Sequence, residues 1–187
     1  MLNSPGGELG EGLLPVAHPL VLGLGDPPIV LRPEQEQDAA FLADLFYVTA
    51  GRDLCLMPID DAIKETLLRM QFASQAATYR AQYPSGRFDI IEQGGKSIGR
   101  IVIDPGTEAG RIVDIALLPE RRARGLGTAI LAAVLDRFAR RRQRVLCQVL
   151  AKNEASLRMF HRVGFRQVGE CPPFVHLEWR PSREVQE

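Results

Sequence analysis

From Ile29 onward, apolar and polar positions fall into a succession of short strand-like runs and helical stripes. Ile29-Val30-Leu31-Arg32-Pro33 reads as a short strand ended by proline, which cannot continue a hydrogen-bonded ladder. Glu36 to Thr49 carries Phe41, Leu42, Leu45, Phe46 and Val48 at helical spacing with one apolar face, and Gly51 predicts its stop. Asp60 or Asp61 can cap a second helix running to about Tyr83, before Pro84. Ile63, Leu67 and Met70 form one apolar stripe on it, and Leu68, Phe72 and Ala76 another.

Phe88 to Ile91 and Ser97 to Ile103 are alternating or apolar runs around Gly94-Gly95, a hairpin signal. Pro105-Gly106 turns the chain again, into Arg111 to Leu118. That run is almost wholly apolar, as expected of a strand buried on both faces. Leu131, Val134, Leu135 and Phe138 then repeat at i, i+3, i+4, i+7, an amphipathic helix with arginines at its end. Val145 to Leu150 is a further strand, and Asn153 caps a helix from Glu154 to Val163 that closes at Gly164. Phe165 to Val168 and Val175 to Trp179 complete the pattern as an antiparallel pair. Strands with helices inserted after the first predict an α/β arrangement, of α+β type, around a mostly antiparallel sheet.

The first 28 residues have no period. Gly6-Gly7, Pro15, Pro19, Gly23, Gly25 and Pro27-Pro28 interrupt scattered leucines, and the stretch reads as a flexible extension before a domain spanning 29–187. Leu20 to Leu24 could instead dock on the domain or on a second subunit.

Composition narrows the classes. A chain of 187 residues is long enough for one domain with a full core. Basic and acidic residues balance at 23 each, which gives no electrostatic case for nucleic acid or a membrane surface as partner. No apolar run approaches the ~20 residues of a membrane span. Cys55, Cys147 and Cys171 are odd in number, far apart and without metal-ligand spacing, so neither a disulfide framework nor a metal site is expected, and a reducing cytoplasm fits.

Between the apolar strand and the amphipathic helix stands Arg122-Ala123-Arg124-Gly125-Leu126-Gly127-Thr128. Its glycines allow a tight turn and the close approach of a ligand to the backbone. The helix that follows offers unpaired N–H groups and the positive end of a dipole, and the arginines add charge: a phosphate or pyrophosphate site. A P-loop would need Gly-Lys-Ser/Thr here, and the dinucleotide fingerprint a third glycine where Ile130 stands. A plain strand-to-helix turn would also match the stretch. Two further positions stand out. Asp114 lies inside the apolar strand, so it is either paired, with an arginine for instance, or functional. Gln71, Gln75 and Tyr79 share one face of the long helix, which is either solvated or the lining of an acceptor pocket.

The order Ile115-Ala116-Leu117-Leu118-Pro119-Glu120, Arg122-x-x-Gly125-x-Gly127, Asn153-x-Ala155, Phe160, Gly164-Phe165 resembles the GNAT acetyltransferases, and the Gln-rich helix with Tyr83-Pro84 resembles a bacterial subset of them. The resemblance implies the GNAT fold, with a central mixed sheet of about seven strands flanked by helices, and acetyl-CoA-dependent transfer to an amine of a small molecule or protein. It implies that the backbone of Ile115, Ala116 and Leu117 holds the pantetheine arm, that Arg122, Ala123, Arg124, Gly125, Leu126, Gly127 and Thr128 hold the pyrophosphate, and that Asn153 and Phe160 contact the cofactor. It places the early helices beside the acceptor, hence Gln75 and Tyr79 as acceptor-binding candidates, and calls for no metal. A homodimer is compatible with it.

Two positions depart from the commonest family pattern. The leaving-group acid is often a tyrosine where this chain has Phe160, and some members carry a carboxylate where it has Gln148. Asp114 is then the candidate catalytic residue, with Tyr79, His161 or a water chain as alternatives. A second reading follows from the same departures: a catalytically weak CoA-binding or interaction module that keeps the cofactor loop.

Overall fold

A computed structural model describes residues 18–49 and 56–181. Among these residues eight strands form one sheet: β1 (Leu20–Val21), β2 (Ile29–Pro33), β3 (Arg87–Gln93), β4 (Lys96–Asp104), β5 (Ala109–Leu117), β6 (Arg144–Leu150), β7 (Arg166–Cys171) and β8 (Phe174–Trp179). Their spatial order is β1-β2-β3-β4-β5-β6-β8-β7. Neighbours are antiparallel except β5 and β6, which run parallel. The helices are α1 (Ala39–Thr49), α2 (Asp61–Gln82), α3 (Leu126–Arg140) and α4 (Glu154–Arg162). The expected α/β class and mostly antiparallel mixed sheet are therefore present, with β1 as an additional edge strand.

Strand alternation sorts the residues between two layers. Ile91, Ile103, Ile112 and Leu117 join Leu131, Val134, Leu135 and Phe138 of α3, and Phe160 of α4, in the main core. Asp114 and Ala116 turn to the opposite face, towards Leu42, Leu45 and Phe46 of α1. Strand β5 thus lies between two helical layers, which is why its sequence is mostly apolar, Arg111 and Asp114 apart. Gly110 belongs to the same packing, since a Cβ there would lie 2.1 Å from the Phe138 ring.

Several elements differ in detail from the sequence expectation. The helix expected from Glu36 begins as a 3-10 turn, Glu36–Asp38, before α1. Asp38 is drawn down to the sheet, where its two carboxylate oxygens accept from Arg32 Nη1 and Nη2, each at 2.7 Å. On α2 the stripe of Leu68, Phe72 and Ala76 faces inward, whereas Ile63, Leu67 and Met70 are exposed, because a helix lying on a sheet buries only one stripe. The helix stop expected at Gly51 lies outside the described residues, as do residues 1–17 of the extension.

The described part of the extension, 18–28, is not a free arm. Leu20 pairs with Leu31 and Val21 with Val30, and Leu20 is buried with Leu22 and Leu24 packed beside it. Beneath it lies a buried pair, Arg87 and Asp89, joined by a hydrogen bond from Arg87 Nε to Asp89 Oδ2. Arg87 also donates to the carbonyls of His18, at 2.7 Å, and Leu31, at 3.2 Å. The leucines supply apolar burial and Arg87 satisfies the strand's backbone, so this stretch belongs to the sheet.

Candidate active site

The parallel ladder between β5 and β6 stops early. Its paired residues run from Ala109↔Arg144 to Ile112↔Cys147, and beyond them the two strands diverge. A bulge marks the point of departure: Val102 faces Asp114 and Ile103 faces Ile112, leaving Val113 as the extra residue. Such a bulge bends a strand and re-aims the residues that follow. From Val113 to Leu117 the edge of β5 towards β6 therefore carries no strand partner among the described residues.

The chain then passes through a short 3-10 turn, Pro119–Arg121, into the glycine loop. Ala123 and Gly125 both have positive φ, 58° and 74°, and Gly125 is the N-cap of α3. An ideal Cβ on Gly125 would meet nothing within 4 Å, so the backbone here faces open space. Gly127 differs. It is buried in the first turn of α3, and a Cβ there would stand 2.8 Å from Met159 Sδ. Arg122 turns back on the strand, its Nε donating to the Leu117 carbonyl at 2.8 Å, and so ties the loop to the end of β5. Arg124 is exposed, and Leu126 and Thr128 are half-buried at the start of α3.

On the other side of the cleft, Asn153 caps α4, its Oδ1 accepting from Ser156 N at 3.1 Å. Phe160 lies in the core, packed edge-on against Phe165 with ring centroids 5.0 Å apart. His161 is held by its own helix end, Nδ1 lying 3.0 Å from the Phe165 carbonyl. Gln148 is exposed and lies 3.4 Å from His176 Nδ1 on the paired strand β8. Of the residues expected around the cofactor, Ile115, Ala116, Leu117 and the 122–128 loop come together at one end of β5.

Asp114 and Ala116 line a cavity of about 40 Å³ against α1 and α2, together with Leu45, Phe46, Thr49 and Gln75. Asp114 is paired with an arginine that the sequence reading left unnamed. Arg100 on β4 donates to Asp114 Oδ2 from Nε, at 3.1 Å, and also from Nη2. Its Nη2 reaches Gln75 Oε1 at 3.0 Å, and its guanidinium lies 5.9 Å from the centre of the Tyr79 ring. Arg100 is almost fully buried. Both of its contacts fall on Oδ2, and among the described residues none falls on Oδ1. Burial pushes the Tyr79 hydroxyl up to about 12, with Asp114 adding to the effect. The Tyr79 hydroxyl therefore stays protonated at neutral pH. Arg100 carries the same signal as Asp114, a lone charge in an apolar run, but only Asp114 was marked from the sequence.

Among the described residues no three metal-binding side chains converge, and no helix is long and apolar enough to cross a membrane. No curated protein sequence matches the chain. Solved structures do. PaiA N-acetyltransferase from Thermoplasma acidophilum, in complex with coenzyme A, superposes with a TM-score of 0.62 at 15% identity, covering 81% of this chain and 98% of its own. RimJ from Mycobacterium smegmatis, in complex with CoA-disulfide, gives 0.61 at 21% identity, with 85% of each chain covered. Spermidine N-acetyltransferase from Vibrio cholerae, in complex with CoA and spermine, gives 0.56 at 15% identity over 81% of this chain and 95% of that one. At such identities the likeness is one of fold. The sequence profile of the acetyltransferase (GNAT) family matches residues 59–165, a stretch that runs from the start of α2 through the diverging strands and the glycine loop to the end of α4. A match over more than half of the chain, on this fold, makes the chain a member of the GNAT acetyltransferase family.

Proposed function

We propose that this protein is an acetyl-CoA-dependent N-acetyltransferase acting on a primary amine of a small molecule or protein. The observation that carries the reading is the divergence of β5 from β6 beyond Ile112, next to the open backbone at Gly125. An extended pantetheine arm fits beside Ile115, Ala116 and Leu117 as an added strand, and one of their N–H groups would polarise the thioester carbonyl. The N-terminus of α3, Arg122 to Thr128, would take the pyrophosphate. Its helix dipole, N–H groups and Arg124 meet the negative charge without a metal. Asn153 would border the same cleft from α4, with Phe160 in the core behind it.

The amine would enter from the α1–α2 side, the face to which Asp114 and Ala116 turn. Asp114 Oδ1 is the acceptor atom available to orient it, with Arg100 and Gln75 holding the carboxylate in place. Tyr79 and Gln75 would shape the pocket rather than move protons. The uncharged amine attacks the thioester carbon, the tetrahedral oxyanion forms at the β5 amides, and its collapse expels the CoA thiolate. A proton leaves the nitrogen through Asp114 or a water on it. A thiol of ordinary pKa, about 8.5, leaves as thiolate near neutral pH, so a phenyl ring at Phe160 is tolerable where a tyrosine would donate. Alignment of the two substrates supplies much of the acceleration.

The cytoplasm is the compartment that suits the free Cys147 and Cys171. The test is a turnover screen with acetyl-CoA and a panel of primary amines and peptide N-termini, following free thiol. Acetylation of at least one class is expected. Tight CoA binding with no turnover across the panel would overturn the reading and leave a CoA-binding module.

A further inference from the structure

The balance of 23 basic and 23 acidic residues conceals two unlike halves. Up to Glu108 the chain holds 8 Lys and Arg against 15 Asp and Glu, and from Ala109 onward 15 against 8. Such asymmetry points to a polyanionic partner even at zero net charge, because a ligand responds to the local field of a surface. The densest part of the basic half is Arg137, Arg140, Arg141, Arg142 and Arg144, five arginines within eight residues and no lysine.

The fold gathers further arginines around them. Helix α3 has 15 residues, so its C-terminus lies about 22 Å from the glycine loop. There it meets the start of β6, where Arg144 pairs with Ala109, and the end of β8, where Trp179 pairs with Val145. Strand β7 begins beside them, with Arg166 opposite Glu178, and α4 ends on the way into it at Arg162. One corner of the molecule thus carries the α3 turn together with Arg162, Arg166 and Arg180. Its carboxylates are fewer. Asp136 accepts from Arg140 Nη2 at 2.9 Å, and Glu178 accepts from Arg144 Nη1, at 3.2 Å, and Arg180 Nε, at 2.8 Å. Gln143 Nε2 donates to the Pro105 carbonyl at 2.9 Å, and the β4–β5 turn so attached adds Asp104 and Glu108.

Arg142 is the telling residue. Helix α3 closes with Gln143 N donating to the Phe138 carbonyl, at 3.0 Å, and Arg142 N to the Ala139 carbonyl, at 2.8 Å, the two bonds of a Schellman motif. The residue after the cap of such a motif is left-handed and ordinarily glycine. Here it is Arg142, with φ of 54°. It is exposed, and its guanidinium makes no hydrogen bond or ion pair among the described residues. Cations suit a helix C-terminus, but Arg137, Arg140 and Arg141 already place charge there. A strained backbone that carries a charged side chain without an internal partner points to an external one.

We propose that this corner binds the sugar–phosphate backbone of a nucleic acid. Guanidinium groups match phosphate oxygens in pairs, and arginines set on several elements follow successive phosphates. An acidic protein segment or an anionic membrane would need apolar contact as well. Among the described residues the largest group of exposed apolar side chains lies on and before α2, at Leu56, Met57, Ile63, Leu67 and Met70, and the turn 137–144 has none. Phosphate contacts alone suffice for sequence-independent binding of nucleic acid. The corner stands apart from the proposed cofactor site, and the proposal does not rest on the acetyl-CoA reading.

Fluorescence anisotropy of labelled DNA and RNA duplexes of mixed sequence, titrated with the full chain, tests it. Micromolar binding is expected at about 50 mM salt, with log K falling linearly in log salt. Arg142→Gly should weaken binding severalfold and flatten the salt slope by about one, yet raise the melting temperature by about 2–4 °C as the strain is relieved. Arg142→Gly/Arg166→Ala should weaken binding about tenfold or more. Lys96→Ala removes a charge at the other end of β4 and should bind as wild type does. Saturating CoA should displace neither duplex. Failure to bind both duplexes, or an equal loss in Lys96→Ala and Arg142→Gly, would overturn the proposal. Displacement by CoA would overturn it by moving the anion to the glycine loop. Tighter binding of oligoglutamate or of phosphatidylserine vesicles would replace nucleic acid by an acidic protein or a membrane. A lower melting temperature in Arg142→Gly would give the arginine a structural role and remove the argument built on it.

Discussion

At the scale of single residues, the proposed acceptor side rests on one ion pair. Asp114 stands in an apolar strand because Arg100 satisfies it, and Arg100 is in turn held by Gln75 on α2. The three side chains join the sheet to α2. Asp114→Asn leaves a nearly buried guanidinium with a neutral partner. Breaking a fully buried pair costs about 3–5 kcal/mol, and the 24% exposure of the Asp114 side chain places this case at or below the lower end. The expected outcome is a lower melting temperature together with a lower kcat/KM for the amine, while KM for acetyl-CoA stays near wild type. A reduced melt with an unaltered amine kcat/KM would confine Asp114 to the structural role. Arg100→Lys keeps the charge but cannot reach Asp114 and Gln75 from a planar fork, so it should resemble Asp114→Asn rather than wild type.

At the scale of elements, the two glycines of the loop do different work. Gly125 adopts a left-handed conformation over open space, and Gly127 lets α3 approach α4. Gly125→Asp meets no neighbour, and its left-handed strain is roughly 1 kcal/mol. Its carboxylate would stand over the α3 N-terminus and compete with an anion there. Gly127→Glu would put a carboxylate into the α3–α4 joint, against Met159. The first variant should keep a melting temperature within a few degrees of wild type and lose CoA affinity at least tenfold. The second should melt far lower. Calorimetric affinity and thermal melts on both proteins check this pair of outcomes. A Gly125→Asp protein that binds CoA normally would remove the loop from the cofactor site.

At the scale of the whole molecule, the Arg87–Asp89 pair ties the extension to the sheet and gives stability an unusual pH dependence. Burial pushes the Asp89 carboxyl up to about 6 against the pull of Arg87, and its Oδ1 has no hydrogen-bond partner. A carboxyl whose folded pKa lies above its unfolded value binds protons more tightly in the folded state. Its contribution is therefore fully present below the ordinary value of 3.8 and is lost as pH rises through about 6. Two pKa units correspond to roughly 3 kcal/mol. Asn mimics the protonated form, so Asp89→Asn should gain on wild type by that order between pH 4 and pH 7. Denaturant melts at both pH values measure it. A difference that moves the other way would mean that Arg87 outweighs burial.

The sequence by itself determined the α/β class, nearly every strand and helix, and the glycine loop, because periodicity, caps and turn residues are local signals. It also marked Asp114 as a charge needing a reason. Tertiary structure alone decided what that reason is, since Arg100 and Gln75 meet Asp114 only after β4, β5 and α2 pack together. It decided that residues 18–28 join the sheet, because the pairing partner of Leu20 is Leu31 and the donor to His18 is Arg87, both distant in the chain. The stripe of Ile63, Leu67 and Met70 was legible as apolar, but its exposure was not, because a period says how residues are spaced around a helix and not which side is covered. The divergence of β5 from β6, on which the cofactor reading rests, comes from a bulge at Val113, an offset between two strands that neither strand's own residues display.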